Sequence, residues 1–187
     1  KEQTSLICNI MKCDDFITVE EIDNVLHYSF TDIGIIASNI AEIHPLITAK
    51  LIVRWDYFND FTPKQLVGLF SCFTDVKVPS DYKLNYMTCE DSFLETKIKN
   101  MMNYYEKYTD IECEQQLNTG FNYQDAVIFD MVDFAMKWCD HNSEVDCKMF
   151  IQNEVAEKNI SIGDFTKAML KIVTITNELI VVSNVIN

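Results

Sequence analysis

The sequence predicts an all-α fold, a helical bundle with a small β-wing near the N-terminus. Apolar residues recur at three- and four-residue spacings through most of the 187 residues, repeatedly behind good helix-start signals. A hydrophobic fraction of 48% supplies a substantial core and argues against disorder. Only the stretch around residues 16–30 departs from the helical pattern, with the β-branched and aromatic clusters of short strands.

Leu6, Ile7, Ile10 and Met11 mark a first short helix. Phe16-Ile17-Thr18-Val19 and His27-Tyr28-Ser29-Phe30 read as short β-strands or a wing. Thr31-Asp32-Ile33-Gly34 opens a helix through Ile36, Ala37 and Ile40. Pro45 suits the first turn of the next helix, which carries Ile47, Leu51, Trp55 and Phe58. Thr62-Pro63-Lys64-Gln65 is the clearest local signal. Thr62 caps, Pro63 fits the first helical position, and Gln65 can bond back to the cap, ahead of an apolar face of Leu66, Leu69, Phe70 and Phe73. Pro79-Ser80-Asp81 is a loop. A long polar helix over 91–108 turns Phe93, Ile98, Met101, Met102 and Tyr105 inward, and Asn118-Thr119-Gly120 breaks the pattern. Asn122-Tyr123-Gln124-Asp125 is expected to start a helix carrying Ala126, Phe129, Val132, Met136 and Cys139. Ser143-Glu144-Val145-Asp146 resembles another capped start, and the last helix runs from near Ser161 to about Val182.

Composition excludes several functions. The formal net charge of −14, with Arg54 the only arginine, opposes autonomous binding to a polyanion, because basic groups supply most phosphate attraction. Four glycines leave no phosphate-cradling loop, and neither a GxxxxGK[ST] loop nor a DExH box occurs. Seven scattered cysteines without a CxxC pair suit reduced thiols, so the expected location is intracellular, in cytoplasm or nucleus. No uninterrupted apolar run approaches the ~18 residues of a membrane span, and no membrane partner is expected. The N-terminus has neither a signal-peptide pattern nor an initiator Met, and the chain reads as a fragment or processed piece.

Candidate chemistry is sparse. Cys139, His141, Asp146 and Cys147 invite a metal site, but their spacing fits no usual zinc pattern and Asp146 is better used in a helix start, so no metal is expected. Asp130, Asp133 and Asp140 could suggest an acid–base pair and read better as a solvated surface. His44 is a helix-start residue and His27 a partly buried side chain. Trp55, Trp138 and the phenylalanines read as core rather than base-stacking platform, and Lys64 and Lys77 as surface charges. No catalytic residue is assigned.

The segment Phe58-Asn59-Asp60-Phe61-Thr62-Pro63-Lys64-Gln65-Leu66, continuing to Leu69-Phe70-Ser71-Cys72-Phe73, resembles the "FND-x-[TS]-P-x-Q-[LC]" and "LLSCF" signature of the DSHCT domain. That domain is the C-terminal helical region of exosome-associated DExH-box RNA helicases of the superkiller and ribosomal-RNA-processing types. Thr31-Asp32-Ile33-Gly34-Ile35-Ile36-Ala37-Ser38-Asn39-Ile40 is similar to the helix that precedes it. Met131-Val132-Asp133-Phe134-Ala135-Met136-Lys137-Trp138 and Ser161-Ile162-Gly163-Asp164-Phe165-Thr166-Lys167-Ala168 follow in the family's order, while 83–118 matches only in helical character.

The resemblance implies a helical and wing segment over 1–43 and a DSHCT-like bundle over 44–187. It also implies that the last helix contacts single-stranded RNA along its exit path. The family's paired arginines fall on Lys167 and Lys171, and a glutamate one turn on falls on Thr174. At ~100° per residue, Lys167, Lys171, Thr174 and Glu178 share one face, and Phe165, Met169, Ile172, Ile175 and Leu179 point broadly the other way. Lysine keeps the charge of arginine but loses its planar, bidentate contacts. The implied partners are RNA, the RecA-like domains of the same polypeptide and an exosome-like or other protein complex. No cofactor belongs to this chain; ATP and Mg belong to the RecA-like domains of the parent enzyme. A reading from a different class is an acidic protein-interaction module without RNA contact.

Overall fold

The computed structural model describes residues 2–186, with the backbone alone for Glu2 and Ile186. Among these residues it is a helical structure with one two-stranded antiparallel sheet near the N-terminus, as the apolar periodicity predicts. The described residues form two compact units: 2–60, 104–121 and 177–186 make one, and 61–103 with 122–176 make the other.

In the first unit, α1 (Glu2–Cys13) leads into β1 (Ile17–Ile22) and β2 (Val25–Phe30), the strands expected from the two β-branched clusters. They are joined by Asp23 and Asn24, both at positive φ. Every residue of β2 is exposed, so His27 is not the partly buried side chain expected. It lies on the polar side of the alternating strand, where nothing covers it. α2 (Asp32–Ser38) starts at Thr31, whose Oγ accepts from Gly34 N–H at 3.1 Å. A Cβ at Gly34 would run into the Phe16 carbonyl oxygen, so glycine lets α2 pass against the start of β1.

α3 (Pro45–Arg54) has Pro at its first position and His44 as cap. It ends where Asp56, Tyr57 and Phe58 take positive φ of 46°, 55° and 63°, so Phe58 does not continue the helix. The C-terminal part of α5 (Ser92–Glu114) supplies Tyr105 and Tyr108 to this core, both buried. Asp14 then ties three elements together. Its carboxylate accepts from Lys107 Nζ at 2.8 Å and Tyr108 Oη at 2.6 Å, and Lys50 Nζ donates to its backbone carbonyl. Burial alone would raise the Asp14 pKa, but the Lys107 and Tyr108 hydrogen bonds and the Lys107 and Lys50 charges outweigh it and hold it below the ordinary carboxylate value.

In the second unit α4 (Pro63–Ser71) begins with the full capping box read from the sequence: Gln65 N–H donates to Thr62 Oγ at 3.3 Å, and Thr62 N–H to Gln65 Oε1 at 2.9 Å. Gly68 closes α4 onto its neighbours, since a Cβ there would sit 2.7 Å from Leu94 Cδ2 and 2.8 Å from Met136 Cγ. α5 begins with Asp91 accepting from Leu94 N–H at 2.8 Å. It buries Leu94, Ile98 and Met101, whereas Phe93 and Met102 are only half-buried.

The helix expected from residue 122 starts ten residues later, as α6 (Val132–Trp138). The Asn122 side chain is the reason: its Oδ1 accepts from Gln124 N–H at 3.2 Å and its Nδ2 donates to Asp125 at 2.8 Å, a local turn in place of a helix start. Residues 83–91 are likewise loop. α7 (Glu144–Phe150) is capped by Ser143 and runs into a π-turn over Ile151–Val155. Phe150, Val155, Ile160, Phe165 and Ala168 pack with Met131 and Val76 in the core of this unit.

α8 (Ile162–Ile186) is the longest helix described. Against the expectation from uninterrupted runs, an 18-residue window within Ile162–Val185 has a mean hydropathy of 1.4, so the helix is long and apolar enough to cross a membrane, with 22% of that window buried. Thr and Asn residues interrupt the apolar run but leave its mean hydropathy high.

Candidate nucleic-acid interface on the last helix

Ser161 starts α8: its Oγ accepts from Asp164 N–H at 3.0 Å and donates to Asp164 Oδ2 at 2.8 Å. From that start the helical period separates three faces. Phe165, Ala168, Ile172, Ile175 and Val182 are buried, so the core side expected from the sequence is real. Met169 and Leu179 at its margins are half-buried.

Lys167, Lys171, Thr174 and Glu178 lie along a second face. Lys167 and Thr174 are exposed, and Lys171 and Glu178 half-buried. Thr174 Oγ donates back to Leu170 O of its own helix at 3.0 Å. Glu178 binds backbone donors of a distant segment. Ala41 N–H donates to its Oε1 at 2.7 Å, and Glu42 N–H to its Oε2 at 3.1 Å. The carboxylate therefore caps backbone donors in the turn ahead of α3. No sequence signal pointed to this bond, which joins residues about 137 positions apart.

A third face was missed altogether. Ile162, Leu170, Val173, Ile180 and Val181 are each more than half exposed. Its signal was available, because a helix apolar on more than one side is one that normally has neighbours on more than one side.

The other candidates separate in space or are used structurally. Among the described residues no three His, Cys, Asp or Glu side chains gather as a metal-ligand group. Cys139 Sγ donates to Ala135 O at 3.4 Å, and burial raises its pKa. The His141 ring packs on Phe150 at 4.7 Å between centroids, and Asp146 takes the Ser143 hydroxyl at 2.6 Å.

Asp130 and Asp133 are not the solvated surface expected. Asp130 is buried and accepts from Leu84 N–H at 2.9 Å; Asp133 accepts from Glu90 N–H at 3.4 Å. Together they pin the loop before α5, and burial raises the Asp133 pKa. α6 begins only at Val132, so Asp130 lies in the turn ahead of the helix, under the loop, rather than on a solvated helix surface. Asp140 is exposed and paired with Lys64, which is thus more than a plain surface charge. Trp55 is buried, and Trp138 packs against Phe165 at 5.2 Å between centroids, so both belong to core.

The electrostatics are poor for a polyanion. Arg54 donates from Nη1 to Tyr104 Oη at 3.0 Å and lies over that ring, which uses the one guanidinium internally. A cleft of about 440 Å³ in the second unit sets Lys77 and Lys83 against Asp75, Asp125 and Asp130, so it offers no net positive charge. The lysines of α8 are the cations in line on one helix face beside apolar side chains.

The family model described as the DSHCT (NUC185) domain matches residues 27–187, from within β2 through α8. No curated protein matches the chain.

Proposed function

The chain belongs to the DSHCT domain family, non-catalytic domains found at the C-termini of DExH-box helicases, and on that premise we propose that it guides RNA within an ATP-dependent RNA helicase. The observation that carries the reading is the face of α8 on which Lys167 and Lys171 stand one turn apart, with Lys167 exposed. Two ammonium groups at that spacing suit successive phosphates of an unwound strand, as point charges without bidentate geometry.

In this reading the RecA-like domains of the same polypeptide hold ATP and Mg and supply most of the phosphate neutralisation. Leu170, Val173, Ile180 and Val181 would give them an apolar surface to pack on. Lys167 and Lys171 would restrain backsliding of the exiting single strand. Thr174 lies on the same face but spends its hydroxyl on Leu170 O, and Glu178 spends its carboxylate on Ala41 and Glu42, so neither is assigned a direct RNA contact. The parent enzyme would act intracellularly, in RNA processing or decay of the exosome type.

The test is a Lys167→Ala/Lys171→Ala double change in the full-length helicase, with duplex unwinding followed at moderate salt. Unwinding is expected to fall severalfold while ATP hydrolysis without RNA stays unchanged. Undiminished unwinding would remove the strand-guiding role. It would favour the second reading, an acidic interaction module without RNA contact, which the formal net charge of −14 supports.

A further inference from the structure

The hairpin is closed by Asp23 and Asn24, with φ of 53° and 60°, a turn geometry that matches the twist of paired strands. Register follows from that turn: Ile22 pairs with Val25, and pairing runs back to Ile17 with Phe30. Hydrogen-bonded and non-bonded pairs alternate from the residues flanking such a turn. Val25, His27 and Ser29 therefore spend their N–H and C=O groups on β1, and Leu26, Tyr28 and Phe30 aim theirs outward. None of those outward groups meets a backbone partner among the described residues.

Side chains alternate on the same period, and cross-strand partners share a face. Ile17 and Val19 thus lie with Leu26, Tyr28 and Phe30 on one face, apolar except for Glu21 opposite Leu26. Coverage ends at β1: Ile17 is 6% exposed, while Leu26, Tyr28 and Phe30 are 52%, 52% and 57% exposed. β2 also lacks the devices that normally guard a sheet edge. Val-Leu-His-Tyr-Ser-Phe contains no Lys, Arg, Asp, Glu or Pro, and every residue of it is in register. Two strands alone make a marginal sheet.

The hairpin and its flanking chain carry only acidic charge, with Lys50 and Lys107 reaching Asp14 just ahead of it. Residues 13–49 contain no Lys or Arg, and Glu20, Glu21 and Asp23 sit on the hairpin itself. Such a field attracts a basic segment and repels a second copy of this acidic chain.

We propose that the outer edge of β2 accepts a third strand from a partner protein, an extended segment with alternate apolar residues and Lys or Arg between them. Its backbone pairs with Leu26, Tyr28 and Phe30, its apolar side chains extend the face begun by Ile17 and Val19, and its cations fall on the other face, that of Glu20, within the field of the hairpin carboxylates.

A blocked nine-residue peptide alternating valine with lysine, titrated into the ¹⁵N-labelled 187-residue chain, tests this without altering the protein. The expected result is binding with Kd on the order of 100 µM or tighter. Shifts and slowed amide exchange should centre on Leu26, Tyr28 and Phe30. Methylating alternate valine amides, or replacing lysine by glutamate, should each weaken binding about tenfold or more. Equal binding of either control peptide, shifts centred elsewhere, or no binding up to about 1 mM would overturn the proposal. So would protection of the same amides by self-association without peptide.

Discussion

His44 shows how one side chain can serve a helix only while uncharged. Its Nδ1 accepts from Ile47 N–H at 3.3 Å, which requires a lone pair on that nitrogen. Its ring packs against Phe121, Tyr108 and Tyr105 with centroids 4.6, 5.6 and 6.1 Å away. Burial in that aromatic setting lowers its pKa to about 4, outweighing the opposing charge of Glu112. In the unfolded chain the group titrates near 6.5. Between those values the unfolded chain binds the extra proton, so stability falls as pH drops from about 6.5 to 4 and is fully present above 6.5. The loss attributable to His44 reaches about 3 kcal/mol. Urea unfolding at pH 7 and pH 4.5 should show a larger acid loss for the parent chain than for His44→Asn, which keeps a cap but cannot take up the proton. Equal losses would mean that His44 does not govern this window. Asp14 acts at lower pH, because its pKa lies below the ordinary carboxylate value and its contribution is lost only as pH falls through it.

At the scale of elements, Gly68 decides how closely α4 approaches its neighbours. Within a helix, glycine costs up to about 1 kcal/mol relative to alanine. Here the missing Cβ makes room for Leu94, fully buried on α5, and Met136, half-buried on α6. Gly68→Ala should therefore lower stability by about 1 kcal/mol or more, since overlap with packed side chains outweighs the propensity gain. Denaturant titration reads this directly, and a variant as stable as the parent or more so would show that Met136 and Leu94 yield freely. The Asn122 turn is the complementary case. Polar side chains that resemble a helix start instead satisfied the backbone locally, and α6 had to begin where Met131 and Val132 could be buried.

For the whole molecule, charge sets the terms of any contact with nucleic acid. With a formal net charge of −14 and its one guanidinium engaged by Tyr104, the 187-residue chain should bind single-stranded RNA with Kd weaker than ~10 µM at physiological salt. Fluorescence anisotropy with labelled RNA checks it, and submicromolar binding would relocate the affinity from the proposed RecA-like domains to this chain. The exposed apolar sides of α8 and of the hairpin point the same way, toward function exercised in company.

The sequence by itself determined the helical class, the wing, the Thr62 capping box, the Ser143 and Ser161 helix starts and the family. These rest on local chemistry: side-chain periodicity, capping hydroxyls and the contiguous residues from Phe58 to Phe73. It also grouped Lys167, Lys171, Thr174 and Glu178 on one face, which needs only the helical period. Tertiary structure alone decided that Glu178 caps Ala41 and Glu42, that Asp130 is buried beneath the loop at Leu84, and that Arg54 is used on Tyr104. Each of those bonds joins residues far apart in the chain, and a residue's burial depends on what packs over it rather than on its own neighbours in sequence.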